Sequence, residues 1–243
     1  MKTIPVVFAA CALMFAAPVQ AGIVIVNHDE WTLSSSAVNG AAFGVNIANY
    51  FAGGSGGNFL IYSQGFGLND SGLTSAITAA GHTVTVDTSV PFNLSTLSAY
   101  TGIFLGGDPY DYDPVVLTQY VNSGGNVYLA GGTGNFAEGF YFNPFLANFG
   151  FQYAPPYNYI YGAFAPTTSH PVFAGIPELF YYWGNTVLLT GTSPYARLIA
   201  VHPETGEGMI GIYEVRELGE IPEPATAALV GLGLLAAAWL RRR

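Results

Sequence analysis

Three polar residues of this 243-residue chain could form a nucleophile and its base. Thr133 lies in a glycine-rich turn that follows an apolar run, and His202 and Glu204 follow another apolar run. A histidine oriented by a carboxylate can activate a hydroxyl within hydrogen-bond reach, although the β-methyl group of threonine crowds the attack. The alternative, which we favour, is that the turn around Thr133 is structural and that His202 and Glu204 merely open a hairpin.

The densest acidic cluster contains Asp108, Asp111 and Asp113. It follows an apolar run, and carboxylate oxygens on a flexible loop suit Ca²⁺, so the cluster is a candidate calcium site. Its spacing is not that of an EF-hand loop. Asp113 precedes Pro114, and it is therefore equally well placed to cap a helix that begins there.

A second polar group follows the first apolar run, where His28 and Asp29 precede Glu30 and Trp31. A histidine beside two acids could bind a metal ion. The alternative, which we favour, is a solvated turn in which Trp31 packs against the next helix.

Aromatic residues are concentrated between positions 153 and 183. Rings with polar rims stack on sugar faces, so Tyr157, Tyr159, Tyr161 and Trp183 are candidate glycan contacts. The favoured alternative is ordinary packing in the core of a lysine-poor domain.

Short apolar runs alternate with helical patterns, which predicts an α/β fold. Strands are predicted at 22–26, 58–62, 83–87, 102–105 and 126–130, and helices at 37–51, 71–80, 94–100, 114–122 and 143–148. This alternation implies right-handed crossovers and a largely parallel sheet with helices on both faces. Runs at 198–201 and 209–215 predict a closing antiparallel pair, whereas the segment 153–164 is predicted to be a surface excursion.

The two ends of the chain have the composition of sorting segments. Residues 1–21 combine an early Lys2, an apolar run and Val19-Gln20-Ala21, which predicts a signal peptide cut by signal peptidase before Gly22. A lipoprotein signal around Cys11 is the less favoured alternative.

Residues 221–243 combine Pro222-Glu223-Pro224, an apolar stretch and Arg241-Arg242-Arg243. A helix over 225–240 would reach about 24 Å, which just spans a bilayer core of about 30 Å.

This tail resembles the PEP-CTERM sorting signal in the order, spacing and terminal position of its three parts. The resemblance implies recognition and cleavage by a membrane-embedded exosortase, transient membrane anchoring through the C-terminal helix, and delivery to the surface or exopolysaccharide matrix of a Gram-negative bacterium. The alternative is an ordinary C-terminal anchor.

The composition of the segment between the two ends excludes several classes of function. Of six Lys and Arg and fifteen Asp and Glu in the chain, Lys2, Arg241–Arg243 and Glu223 lie in the end segments, which leaves two basic and fourteen acidic residues. Nucleic acid is therefore excluded as a partner, because almost nothing is available to neutralise phosphates. The single cysteine, Cys11, lies in the signal peptide, so disulfides and thiolate chemistry are excluded for the mature chain.

Residues 22–220 resemble the glutamine-amidotransferase-like and ThuA-like flavodoxin-type domains. The resemblance rests on the strand with Gly106-Gly107-Asp108-Pro109, on the strand with Gly131-Gly132-Thr133, and on His170-Pro171 and His202-Pro203-Glu204. In that family a cysteine stands at the turn that Thr133 occupies here, so the resemblance does not imply cysteine-based glutaminase chemistry. We therefore expect a non-catalytic surface protein that binds a glycan, a cation or a partner; the alternative is a secreted hydrolase or carbohydrate-modifying enzyme.

Overall fold

The computed structural model describes residues 21–65, 67–107, 111–134 and 137–215. The predicted signal peptide up to residue 20 and the whole predicted sorting segment lie outside this part of the chain. The strands are β1 (Val24–Asn27), β2 (Asn58–Tyr62), β3 (Thr83–Val86), β4 (Gly102–Leu105), β5 (Asn126–Ala130), β6 (Phe151–Tyr157), β7 (Tyr161–Phe164), β8 (Leu179–Tyr182), β9 (Asn185–Leu189), β10 (Ala196–Val201) and β11 (Gly208–Tyr213). The helices are α1 (Gly40–Ala52), α2 (Ser71–Ala79), α3 (Leu94–Leu97), α4 (Pro114–Asn122) and α5 (Glu138–Leu146).

Seven strands form one sheet in the order β10-β11-β1-β5-β4-β2-β3. The five strands from β1 to β3 in this order are parallel, and β11 pairs antiparallel with both β1 and β10. The predicted mixed α/β fold with a large, mostly parallel sheet is confirmed, and so is the antiparallel pair that closes it. The parallel central strands are buried on both faces, which explains why they are continuous apolar runs.

Each face of the sheet has its own hydrophobic core. On one face, Ile25 and Tyr128 pack with side chains of α1 and α2, such as Phe43 and Leu73. On the other face, the alternate residues of the same strands pack with α4 and α5. The helix after β1 and the helix after β5 therefore cover opposite faces, although β1 and β5 are neighbours.

The starts of three helices follow from their capping residues. Asp70, Asn93 and Asp113 each accept a hydrogen bond from a backbone N–H in the first turn of α2, α3 and α4, respectively. Asp113 accepts from both Val115 and Val116, and Pro114 occupies the first turn, where its missing N–H costs nothing. The prediction that a helix begins at Pro114 is confirmed.

Two segments differ from the sequence-based prediction. The segment 153–164 is not a surface excursion: β6 pairs with β9 and β7 pairs with β8, and Tyr153 and Ile160 are buried. In addition, α5 begins at Glu138 rather than near residue 143. Gly139 and Pro144 hide this helix in the sequence, because both residues are poor helix formers.

No helix in the described ranges is both long enough and apolar enough to cross a membrane. The predicted transmembrane helix at 225–240 lies outside those ranges.

Candidate functional site

The candidate site lies at the carboxyl edge of the parallel strands. In open α/β sheets, ligands bind where neighbouring strands send their connections to opposite faces. Here β1 leads to α1 on one face and β5 leads to α5 on the other. The segment after β1 and the turn after β5 therefore border one crevice, and Gly132 packs against the backbone of His28 and Asp29.

Glu30 is a fully buried acid in this crevice. Its Oε1 lies 3.3 Å from the Ser63 hydroxyl and 3.4 Å from the Leu68 backbone nitrogen, both in the segment after β2. A Cβ atom on Gly65 would lie 1.9 Å from Oε1, so a larger residue at position 65 would displace the Glu30 carboxylate. Burial, followed by repulsion from Glu138 among other effects, raises the pKa of Glu30 to about 7.

Glu138 is a second fully buried acid, at the first position of α5. Its Oε1 accepts hydrogen bonds from the Thr133 backbone nitrogen at 2.8 Å, the Thr133 hydroxyl at 3.0 Å and the Tyr157 hydroxyl at 2.5 Å. Glu138 thereby ties the turn after β5 to strand β6.

Neither glutamate is among the site residues predicted from the sequence. Glu30 was visible only as one of the acids beside His28. Glu138 stands alone in an uncharged stretch, and nothing in the sequence indicates that it lies near Glu30.

The structure does not join Thr133 to His202 and Glu204. Thr133 donates its hydroxyl to Glu138, whereas His202 follows β10, with β1 and β11 between β10 and β5. His202 Nδ1 lies 3.2 Å from the Thr205 hydroxyl, and Glu204 is exposed in the turn before β11. The hairpin interpretation of His202 and Glu204 agrees with this geometry.

His28 and Asp29 are buried rather than solvated. Burial, with a smaller contribution from His202, lowers the pKa of His28 to about 3, so its ring is neutral. Asp29 accepts from the Trp31 nitrogen at 2.9 Å and the Tyr182 nitrogen at 2.5 Å, and burial nevertheless raises its pKa well above the usual range. Asp29 therefore connects the sheet edge to two aromatic residues.

The acidic cluster after β4 is only partly described. Asp108 lies outside the described residues, Asp111 is exposed, and Asp113 caps α4. Among the described residues, no group of three or more His, Cys, Asp or Glu side chains is arranged to hold a metal ion. The calcium site at Asp108, Asp111 and Asp113 stays a prediction.

Five aromatic side chains form a connected surface cluster, which we call the aromatic patch. Its members are Trp31, Tyr159, Tyr161, Tyr182 and Trp183. Neighbouring rings in the patch have centroids 5.2 to 5.6 Å apart. Tyr159 and Tyr161 are 72% and 61% exposed, respectively. Tyr157, the fourth predicted glycan contact, is buried with its hydroxyl on Glu138 and does not belong to the patch.

The comparisons with known proteins address the end of the chain. Residues 220–243 match the PEP-CTERM protein-sorting motif, which covers the predicted residues Pro222, Glu223, Pro224 and Arg241 to Arg243. No curated protein and no solved structure matches the chain. The motif indicates an exported protein that is sorted to the cell envelope or surface and processed by exosortase, and it carries no information about the activity of the α/β domain.

Proposed function

We propose that the α/β domain is a non-catalytic glycan-binding module of this exported protein. The observation that carries the proposal is the aromatic patch. Exposed rings of tyrosine and tryptophan offer flat apolar faces with polar rims, which is the surface that stacks against sugar rings. A surface or matrix protein meets polysaccharide as its nearest polymer, so the producer's own exopolysaccharide is the proposed ligand.

The backbone beneath the patch supports a binding role. Tyr159 and Trp183 have φ angles of 56° and 47°, in the left-handed region that bulky residues rarely adopt. The turns that carry them are hydrogen-bonded to each other, from the Trp183 nitrogen to the Ile160 carbonyl at 2.8 Å and from the Asn158 nitrogen to the Gly184 carbonyl at 2.8 Å. Such a conformation costs of order 1–3 kcal/mol and persists where the surrounding structure enforces it, often at binding sites.

The proposed route to the ligand follows from both ends of the chain. Signal peptidase removes residues 1–21, the C-terminal helix anchors the protein briefly, and exosortase then processes the tail and releases the domain to the surface or the exopolysaccharide matrix.

We further propose that the domain is a distant member of the amidotransferase-like and ThuA-like folds. The parallel strands and the glycine-rich turn at Thr133 support this proposal.

Removal of the exposed rings tests the glycan proposal. We expect Trp183→Ala and Tyr159→Ala each to weaken binding of the purified full-length chain to the producer's exopolysaccharide by about fivefold, since one stacked ring contributes about 1 kcal/mol. Affinity electrophoresis in gels containing the polysaccharide measures this change.

Tyr195→Ala is the matched control, because Tyr195 is also exposed but lies outside the patch. Equal retention of all three variants and the parent chain would contradict the proposal.

The alternative, a carbohydrate-modifying enzyme, is favoured by the hydrogen bond from the Thr133 hydroxyl to Glu138. Steady release of reducing ends from the same polysaccharide, abolished by Glu138→Gln, would support the enzyme instead.

A further inference from the structure

Glu30 and Glu138 approach the same crevice from opposite faces of the sheet. Glu30 belongs to the connection after β1, and Glu138 begins the helix after β5. Gly132 packs against Asp29, the neighbour of Glu30, and Thr133, the neighbour of Gly132, donates two hydrogen bonds to Glu138. We propose that Glu30 and Glu138 together bind a hard divalent cation at this edge of the sheet, independently of the aromatic patch.

Unpaired atoms at the crevice support a bound ion. In each glutamate, Oε1 accepts the hydrogen bonds described above, whereas Oε2 is buried and has no hydrogen-bond partner. Within the described residues, six buried side-chain atoms lack a partner, and four of them belong to Glu138 and to His28, Glu30 and Thr32 in the segment after β1. Buried polar atoms in native proteins are almost always paired, so such a concentration points to a ligand-binding site.

Charge balance favours a cation as the ligand. Burying a carboxylate is unfavourable unless the charge is neutralised. In the described ranges Arg197 is the single Lys or Arg, and it is bound to Glu214 rather than to either acid. His28, the histidine of this segment, is held neutral. No Lys or Arg in that part of the chain therefore supplies the positive charge.

The donor atoms define the class of cation. Two carboxylate oxygens are hard donors, and a site with one or two carboxylates that leaves positions for water is typical of Mg²⁺, while Ca²⁺ also prefers oxygen. The side chains that hydrogen-bond to the two acids are hydroxyls, which are also hard donors; they belong to Ser63, Thr133 and Tyr157. We therefore expect Mg²⁺ or Ca²⁺ in preference to a thiophilic metal.

The test is the thermal stability of the full-length chain at pH 8, above the raised pKa of Glu30. After treatment with EDTA, we expect CaCl₂ or MgCl₂ at about 5 mM to raise Tm by several degrees, because an ion in excess that binds only the folded state stabilises it by mass action. Glu30→Gln and Glu138→Gln should each abolish the shift. Glu178→Gln, at an exposed acid remote in sequence from both, should retain it.

Luminescence of Tb³⁺ as a calcium probe provides a second readout that does not depend on the variants being equally stable. Tyr157 donates to Glu138, so it should sensitise Tb³⁺ bound there, and Ca²⁺ should displace the signal. An unchanged Tm on adding either ion to EDTA-treated parent chain, or a shift retained in both Gln variants, overturns the proposal. A Tm that instead rises only on acidification would show that the two acids share a proton and not a metal ion.

Discussion

At the residue scale, the buried acid Glu214 has several partners that neutralise its charge. It follows β11 and accepts hydrogen bonds from the Tyr50 hydroxyl and from Arg197, and His170 Nε2 lies 3.5 Å from its Oε1. Burial alone would raise the pKa of Glu214, but these partners outweigh that effect and lower it to about 2. Glu214 thus fastens the last described residues to α1 and β10.

We expect Glu214→Gln to destabilise the domain by about 2 kcal/mol at pH 7, because it removes charged hydrogen bonds from a buried position. A lowered pKa stabilises the folded state above the unfolded value of 4.5, and this contribution is lost as pH falls towards about 2. The difference between parent and variant should therefore shrink over that interval. Urea unfolding at pH 7, 4 and 3 measures it, with Glu178→Gln as the control; a difference that is constant with pH would contradict the assignment.

At the scale of elements, close backbone approach at the turn after β5 determines how the crevice is assembled. Gly132 has a φ of 64°, and a Cβ atom there would lie 2.8 Å from the Trp183 carbonyl oxygen and 3.0 Å from the His28 carbonyl oxygen. This glycine therefore lets the turn pack between the first connection and the aromatic patch. Gly53 has nearly the same φ, 67°, but nothing lies within 4 Å of its Cβ position.

A comparison of alanine substitutions at these two glycines distinguishes the cost of backbone strain from the cost of steric conflict. We expect Gly53→Ala to cost about 1 kcal/mol, the penalty of a left-handed L-residue. Gly132→Ala should cost more, about 2–4 kcal/mol, because two carbonyl groups must also move. Chemical denaturation of both variants measures the difference. Equal destabilisation would contradict this expectation, because it would mean that the backbone around Gly132 accommodates a Cβ atom at no extra cost.

At the scale of the whole molecule, the domain and its sorting tail have separate roles. The tail matches a known sorting motif, whereas the domain carries the aromatic patch and the buried acid pair. The proposed binding functions belong to residues outside the matched sorting motif. The tail determines where those residues are delivered.

Mass analysis of both termini of the surface-located protein tests the delivery route. We expect a new N-terminus at Gly22, because signal peptidase is predicted to cut before this residue. We also expect loss of Arg241 to Arg243, because the resemblance to the PEP-CTERM signal implies cleavage of the tail by exosortase. Glu223→Ala should leave the basic end attached and keep the protein with the membrane fraction. Persistence of the three arginines on the surface form of the parent protein would instead indicate an ordinary anchor.

The α/β fold could be read from the sequence because its signals are local. Apolar runs, Asp113 before Pro114 and the glycines that end helices act within a few residues, so most strands and helices were predictable. The segment 153–164 was not, because its strands pair with partners farther along the chain. The start of α5 was hidden by Gly139 and Pro144, which tertiary packing overrides.

The sequence by itself determined the sorting tail and the fold class, since these depend on composition and short-range order. Only the tertiary structure brought Glu30 to Glu138, separated Thr133 from His202, and divided the tyrosines into the buried Tyr157 and the exposed patch. Glu30 and Glu138 are far apart along the chain, and their proximity depends on which strands become neighbours in the sheet. The order of the strands depends on the packing of side chains on both faces of the sheet, and a local sequence pattern does not contain this information.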